Sequence, residues 1–161
     1  MPPPDPEPLF EQAEVLANGS NQEDWRRAIS TAYYAVFHFI LTAAADKAIG
    51  AGNRAAELYR LAYRSIDHRN LRALCINLKG SQPQGVPIPS GGYGPVAQFA
   101  RVTVNLYELR IQADYDPLGN FTANEASVAI SEARKAVEYF QQGTAEQQEM
   151  FLALLLLKSR T

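Results

Sequence analysis

The stretch LRIQADYDPLGN, residues 109–120, crowds an arginine, two carboxylates and a tyrosine just ahead of a proline. Arg110 carries a planar guanidinium, which grips carboxylate or phosphate through paired N–H donors. Asp114 follows one helical turn later, close enough to pair with it. Asp114 could act as a base only with a raised pKa, and a neighbouring arginine lowers it. Tyr115 is a poor base near neutrality, because a free phenol titrates near about 10. The two histidines, His38 and His68, are the side chains whose ordinary pKa lies near neutral pH. A phosphate clamp at Arg110 served by a histidine base is the chemistry this set could perform. A paired Arg110–Asp114 bridge that only fixes helix packing is the plainer alternative.

Helical periodicity sets where these groups point. Phe99, Val102, Leu106, Leu109 and Ala113 form one apolar stripe, and Ala100, Val104, Tyr107 and Ile111 form a second. Arg101, Asn105, Glu108 and Gln112 make the solvent face. Thr103, Arg110 and Asp114 therefore fall in the seam between the apolar stripes, pointing inward. A guanidinium in such a seam needs partners, since a buried unpaired charge is costly. Pro117 disfavours helical geometry at Asp116, so the helix should end by Tyr115.

His38 lies on a second long helix, expected over about 22–48. Trp25, Ile29, Ala32, Val36, Ile40 and Ala43 make its core stripe, widened by Tyr33 and Phe37. Arg27, Thr31, His38 and Thr42 make the polar stripe opposite, with Tyr34 at its edge, so His38 is expected to be solvent-exposed or to line a groove with Arg110.

The rest of the chain reads as helices joined by well-marked breaks. A short helix at about 7–17 ends at Asn18-Gly19, and Ser20 with Glu23 suggests a capping box for the long helix. Residues 54–79 form one helix or two, Asp67 being able to cap a second piece. Residues 81–95, SQPQGVPIPSGGYGP, make a loop of a length that tends to be functional or mobile. Helix returns at about 95–114. Thr122 with Glu125 opens a helix to about 142, and Thr144 with Gln147 opens a last one to about 158. The expectation is an all-α bundle of four or five principal helices.

Composition narrows the function classes. The chain has 161 residues and a formal net charge of −2, enough for one domain and against a globally basic nucleic-acid binder. Charge is nonetheless uneven: residues 1–24 hold six acids and no base, whereas 54–79 hold six bases against Glu57 and Asp67. That basic run is either a solvated helix face or a phosphate-facing surface. Cys75 is the one cysteine, so no internal disulfide or cysteine-based zinc site is expected, which suits a reducing cytoplasm. The proline-rich start MPPPDPEP does not read as a signal peptide, and the run MFLALLLL (150–157) is too short to span a bilayer. No membrane association is expected. No P-loop, dinucleotide fingerprint or HExxH motif occurs, so no cofactor or metal is expected. The C-terminal helix is apolar nearly all round, so either the bundle wraps it or, as preferred here, it joins a homodimer interface.

RRAISTAYYAVFHF (26–39) followed by LYELRIQADYDP (106–117) resembles the HEPN family of small α-helical bundles, specifically its branch with YYAxFH and RxxADYD elements. AYRSIDHRNLRALC (62–75) is similar to a linker helix of that branch, and the resemblance covers about residues 20–142. It implies one domain, with an up-down four-helix core and short extra helices: an acidic arm over 1–18 and an apolar helix over 144–158. It also implies a symmetric dimer and an RNA-directed function. Many members are metal-independent ribonucleases of toxin–antitoxin or defence systems, some encoded beside a nucleotidyltransferase-type antitoxin. Others are inactive RNA-binding or scaffold domains, and the alternative expectation for this chain is a non-catalytic module that binds a partner protein or a nucleotide. The family's ribonuclease motif is an arginine followed, four to six residues on, by a histidine. Arg110 matches the arginine, while the fifth residue on is Tyr115 and the next two are Asp116 and Pro117. The implied roles are Arg110 as phosphate clamp, His38 as candidate base, and Asp114 and Tyr115 as orienting groups. Arg64, His68 and Arg69 would dock the RNA backbone.

Overall fold

The structure, a computed structural model, describes residues 5–157. The first four residues of the proline-rich start, and the final residue of the expected C-terminal helix, lie outside that range. Among the described residues the chain is all-α. The helices are α1 (Pro6–Ala17), α2 (Gln22–Ile49), α3 (Glu57–Arg64), α4 (His68–Leu78), α5 (Pro95–Tyr115), α6 (Ala123–Gln142) and α7 (Ala145–Leu156), with a short 3-10 turn at Ala51–Asn53.

Local chemistry sets most of these boundaries. Asp67 splits the basic segment into α3 and α4 by accepting the Asn70 N–H at 2.8 Å. Thr122 accepts from Glu125 N at 3.0 Å, and Thr144 and Gln147 form a reciprocal capping box. Helix α5 stops at Tyr115, and Asp116 is extended, as the following Pro117 requires. One cap departs from expectation: α2 is capped by Asn21, which accepts from Asp24 N at 2.9 Å, rather than by Ser20 with Glu23. Just ahead of this cap the Trp25 indole donates to Gly19 O at 3.1 Å.

Helix α2 is the hub, touching α1, α3, α5, α6 and α7. It is long and apolar enough to cross a membrane by length and composition, with mean hydropathy 1.4 over its most apolar window, yet most of that window is buried by neighbouring helices. Ile29, Ala32, Tyr33, Val36 and Ile40 are each fully buried. Phe99, Phe140 and Phe151 meet edge to face, with centroids 5.3–5.8 Å apart, tying α5, α6 and α7 together. The bundle buries one side of α7: Phe151, Leu152 and Leu155 are buried, Met150, Leu154 and Leu156 are half-buried, and Ala153 and the following Leu157 are exposed.

The long loop is tethered. Tyr93 is buried and donates to Pro87 O at 2.7 Å, while the Gln147 amide of α7 donates to Gly92 O at 2.9 Å. Gly94 has φ of +52° and lies so close to Gln147 that a Cβ would come within 2.8 Å of it.

The end of α5 is clamped by α2. Arg26 donates to Ala113 O at 3.0 Å, to Asp116 O at 2.8 Å and to Gly119 O, and its guanidinium lies over the Phe121 ring. A cation on the last carbonyls of a helix satisfies both their hydrogen bonding and the helix dipole. Gln22 exchanges two hydrogen bonds with the Phe121 main chain. Replacing Arg26 by Ala strips these carbonyls of a charged donor and should lower stability by about 2 kcal/mol. Thermal unfolding should then shift down by roughly 4–8 °C. Hydrogen exchange should quicken around residues 113–121 while the α6 core amides stay protected.

Candidate functional site

The C-terminal half of α5 faces α2 and α4, and Arg110 lies in that seam with only 8 % of its surface exposed. Its Nε donates to Asp114 Oδ2 at 3.0 Å, and its Nη2 donates to the Tyr34 hydroxyl at 2.8 Å. Asp114 also accepts from the Ser30 hydroxyl at 3.2 Å. The guanidinium carbon lies 5.5, 5.2 and 5.9 Å from the rings of Tyr33, Tyr34 and Tyr115. Burial works against the Arg110 charge, but Tyr34 and Asp114 outweigh it and raise the pKa, so the group stays ionised. Nη1 has no hydrogen-bond partner among the described residues, yet it is not among the sealed unpartnered atoms, which are Thr42 Oγ1 and Thr103 Oγ1. Two of its five N–H donors are thus engaged, and both N–H groups of Nη1 are left to offer.

Both histidines adjoin this seam, and neither lies on a solvent face. The polar stripe of α2 that includes His38 is covered by α3: the His38 ring stacks on Tyr63, and its Nδ1 is hydrogen-bonded to the Tyr63 hydroxyl. Projection of one helix shows which side is polar but not what packs over it. His38 and Arg110 share Tyr34, whose ring is 6.4 Å from the His38 ring and whose hydroxyl accepts from Arg110. His68, expected as a docking residue on the basic surface, is folded inward instead. It stacks on Phe37 with centroids 3.9 Å apart, meets Tyr34 edge to face, and places Nδ1 2.8 Å from the Tyr33 hydroxyl.

Burial lowers the pKa of His38. Burial and the Arg110 charge lower that of His68, aided by His38 and opposed by Asp67. Burial pushes the Tyr63 phenol up to about 12 and raises the Tyr33 phenol further, so both stay protonated at neutral pH.

The remaining expected residues lie at the edges. Tyr115 is 68 % exposed beside Arg110. Arg64 and Arg69 are exposed on α3 and α4, with no acidic partner within salt-bridge distance among the described residues. Lys79 is likewise exposed without an acidic partner among the described residues, and the other three bases of that run are neutralised. Arg54 pairs with Asp46 at 2.7 Å, in a clasp that Tyr59 joins, Arg60 with Glu57 at 3.7 Å, and Arg72 with Glu108 at 2.6 Å. The free positive surface is therefore smaller than the sequence suggests. Tyr34, Tyr33 and Ser30 are the site residues that motif reasoning left unassigned. Their only signal is the spacing that puts Ser30, Tyr33 and Tyr34 on one flank of α2.

No group of three or more His, Cys, Asp or Glu side chains suited to a metal ion occurs among the described residues. A groove of about 360 Å³ between α5 and α6, lined by Val102, Leu106, Leu109 and Val128, is apolar and presents no such chemistry. What the Arg110 seam can do is bind an anionic oxygen: a fixed charge, the unpaired N–H groups of Nη1 and two imidazoles held near neutrality.

The lowered histidine pKa values carry a sign. A histidine kept neutral in the fold binds its proton more readily once unfolded, so acid favours unfolding. Stability should be flat above the free-histidine pKa of about 6.5 and fall as pH drops through and below it. Urea unfolding measured from neutral pH down to about pH 5 should show that loss. NMR titration should place both imidazole midpoints below the free value.

The chain matches no protein-family model, and comparison with curated proteins and with solved structures returns no similar chain.

Proposed function

We propose that this chain is an RNA-directed module of HEPN type, in which Arg110 contacts a phosphate of the RNA backbone. The observation that carries the reading is the meeting of the two resembling segments. Tyr34 of YYAVFH accepts a hydrogen bond from Arg110 of RIQADYD, across 76 residues of sequence. Ser30, on the same flank of α2, donates to Asp114. The segments thus form one unit around a single cation, with Tyr115 exposed beside it as a surface on which a base can stack. Arg64 and Arg69 add charge for the flanking backbone.

A second reading, metal-independent cleavage of that RNA, is favoured by the two imidazoles that adjoin the seam. Attack by the 2′-hydroxyl needs a proton acceptor and charge on the phosphorane. His38 is the acceptor in this reading, and its Nδ1 is already engaged by Tyr63, which leaves Nε2 for the substrate.

Fluorescence anisotropy with a labelled single-stranded RNA tests the first reading. Affinity should fall steeply as salt rises from about 50 to 200 mM. Arg110→Ala should weaken binding by about tenfold and reduce the salt slope by about one. An affinity that ignores both salt and Arg110→Ala overturns the assignment. Incubating total RNA with wild type and Arg110→Ala in excess chelator tests the second reading. Cleavage in the wild type alone supports it, and equal absence of products in both removes it.

A further inference from the structure

We propose that His68, its tautomer fixed by Tyr33, is a second hydrogen-bond donor of the Arg110 site, so that His68 Nε2–H and Arg110 Nη1–H together hold the oxygens of one phosphate. The proposal rests on the reading of Arg110 as a phosphate contact, and it gives His68 a different task from backbone docking or base catalysis.

The argument starts at Tyr33. Its side chain is fully buried, and its hydroxyl has a single hydrogen-bond partner among the described residues, His68 Nδ1 at 2.8 Å. A buried hydroxyl whose hydrogen finds no acceptor is expensive, whereas an idle lone pair is less so. Tyr33 therefore donates, and Nδ1 must be the bare nitrogen that accepts. In a neutral imidazole the proton then resides on Nε2. Protonating Nδ1 would force Tyr33 to accept and leave its own hydrogen without a partner. Burial and the nearby Arg110 charge act in the same direction, against Asp67. His68 is in this way held as a donor.

Its position is fixed as firmly as its proton. The ring stacks on Phe37, and the residue opens α4 behind the Asp67 cap. Arg110 and His68 flank the same pair of tyrosines. The guanidinium carbon lies 5.5 Å from the Tyr33 ring and 5.2 Å from the Tyr34 ring, and the imidazole lies 5.5 and 5.6 Å from them. Nε2 of His68, like Nη1 of Arg110, has no hydrogen-bond partner among the described residues. Two fixed donors beside the same pair of tyrosines, one charged and one neutral, suit the single negative charge shared by the two free oxygens of a phosphodiester.

Long-range ¹H–¹⁵N spectra of the labelled full chain read this directly. His68 should show the Nε2–H tautomer at neutral pH, and Tyr33→Phe should return it to a mixture. Titration with inorganic phosphate should move His68 Nε2 and the Arg110 side-chain resonances together. Affinity for a short single-stranded RNA should drop about tenfold in His68→Leu. It should recover in His68→Gln, whose amide N–H stands in for Nε2–H. An Nδ1–H tautomer, or phosphate and RNA that move Arg110 but leave His68 unmoved, overturns the proposal. RNA affinity that depends on Arg110 but is equal in wild type and His68→Leu overturns it while leaving the RNA reading intact. Phosphate that moves both side chains in a protein that ignores RNA does the reverse. If His68→Leu does not fold, the wild-type tautomer and phosphate shifts decide alone.

Discussion

The charge of Arg110 in the α2–α5 seam is the constraint around which the surrounding structure is arranged. A guanidinium with 8 % exposure cannot rely on water, so the fold must supply its partners. Asp114 comes from its own helix and is nearly automatic at that spacing. Tyr34 is not: its hydroxyl reaches Arg110 only if α2 and α5 pack in one register, and Ser30 reaches Asp114 only in the same register. The polar cluster thus selects a single helix alignment from the several that apolar side chains alone would tolerate.

Arg26 and Gln22 act on the same alignment from one turn below. By taking the carbonyls at the end of α5 and the main chain of Phe121, they fix where α5 stops relative to α2. Above the seam, α3 and α4 close over α2 through Tyr63 on His38 and His68 on Phe37. The clasp of Asp46 with Arg54 and Tyr59 anchors the start of that cover. Burial works to raise the pKa of Asp46, but the hydrogen bonds from Arg54 and Tyr59 outweigh it and lower it. Arg54 and Arg72 are bound to acids of α2 and α5, and Arg60 to Glu57 of its own helix. Among the described residues this leaves the unpaired charge of the basic run on Arg64, Arg69 and Lys79.

What the sequence reveals follows the range of the interactions. Helix ends at Asp67, Thr122, Thr144 and Tyr115 are legible because the capping side chain or the proline lies within a few residues of the end it determines. The inward direction of Arg110 is legible too, because it depends on helical periodicity within α5. The partners are not, since Tyr34 and Ser30 lie 76 and 84 residues away and nothing local marks them. The same limit hides what covers His38, which the sequence leaves either exposed or in a groove with Arg110, and it hides the inward turn of His68. Both are half-buried by packing that only the fold determines. The one local miss, Asn21 in place of Ser20, falls between two adjacent residues that both suit a helix N-cap.

Stability alone is a weak reason for this seam. A buried ion pair loses much of its attraction to desolvation, and well-packed apolar groups in its place are often neutral or stabilising. The neighbouring core demonstrates that this chain can pack such groups, since Ile29, Val36 and Phe99 fill adjoining stretches of α2 and α5 with no exposed surface. An apolar residue at position 110 could extend that packing. Arg110 instead brings in Asp114, Tyr34 and Ser30, and still keeps the N–H donors of Nη1 free. Donors left unpaired beside Tyr33 and Tyr34, with the Nε2 of His68 also unpaired among the described residues, are what the proposed phosphate contact requires.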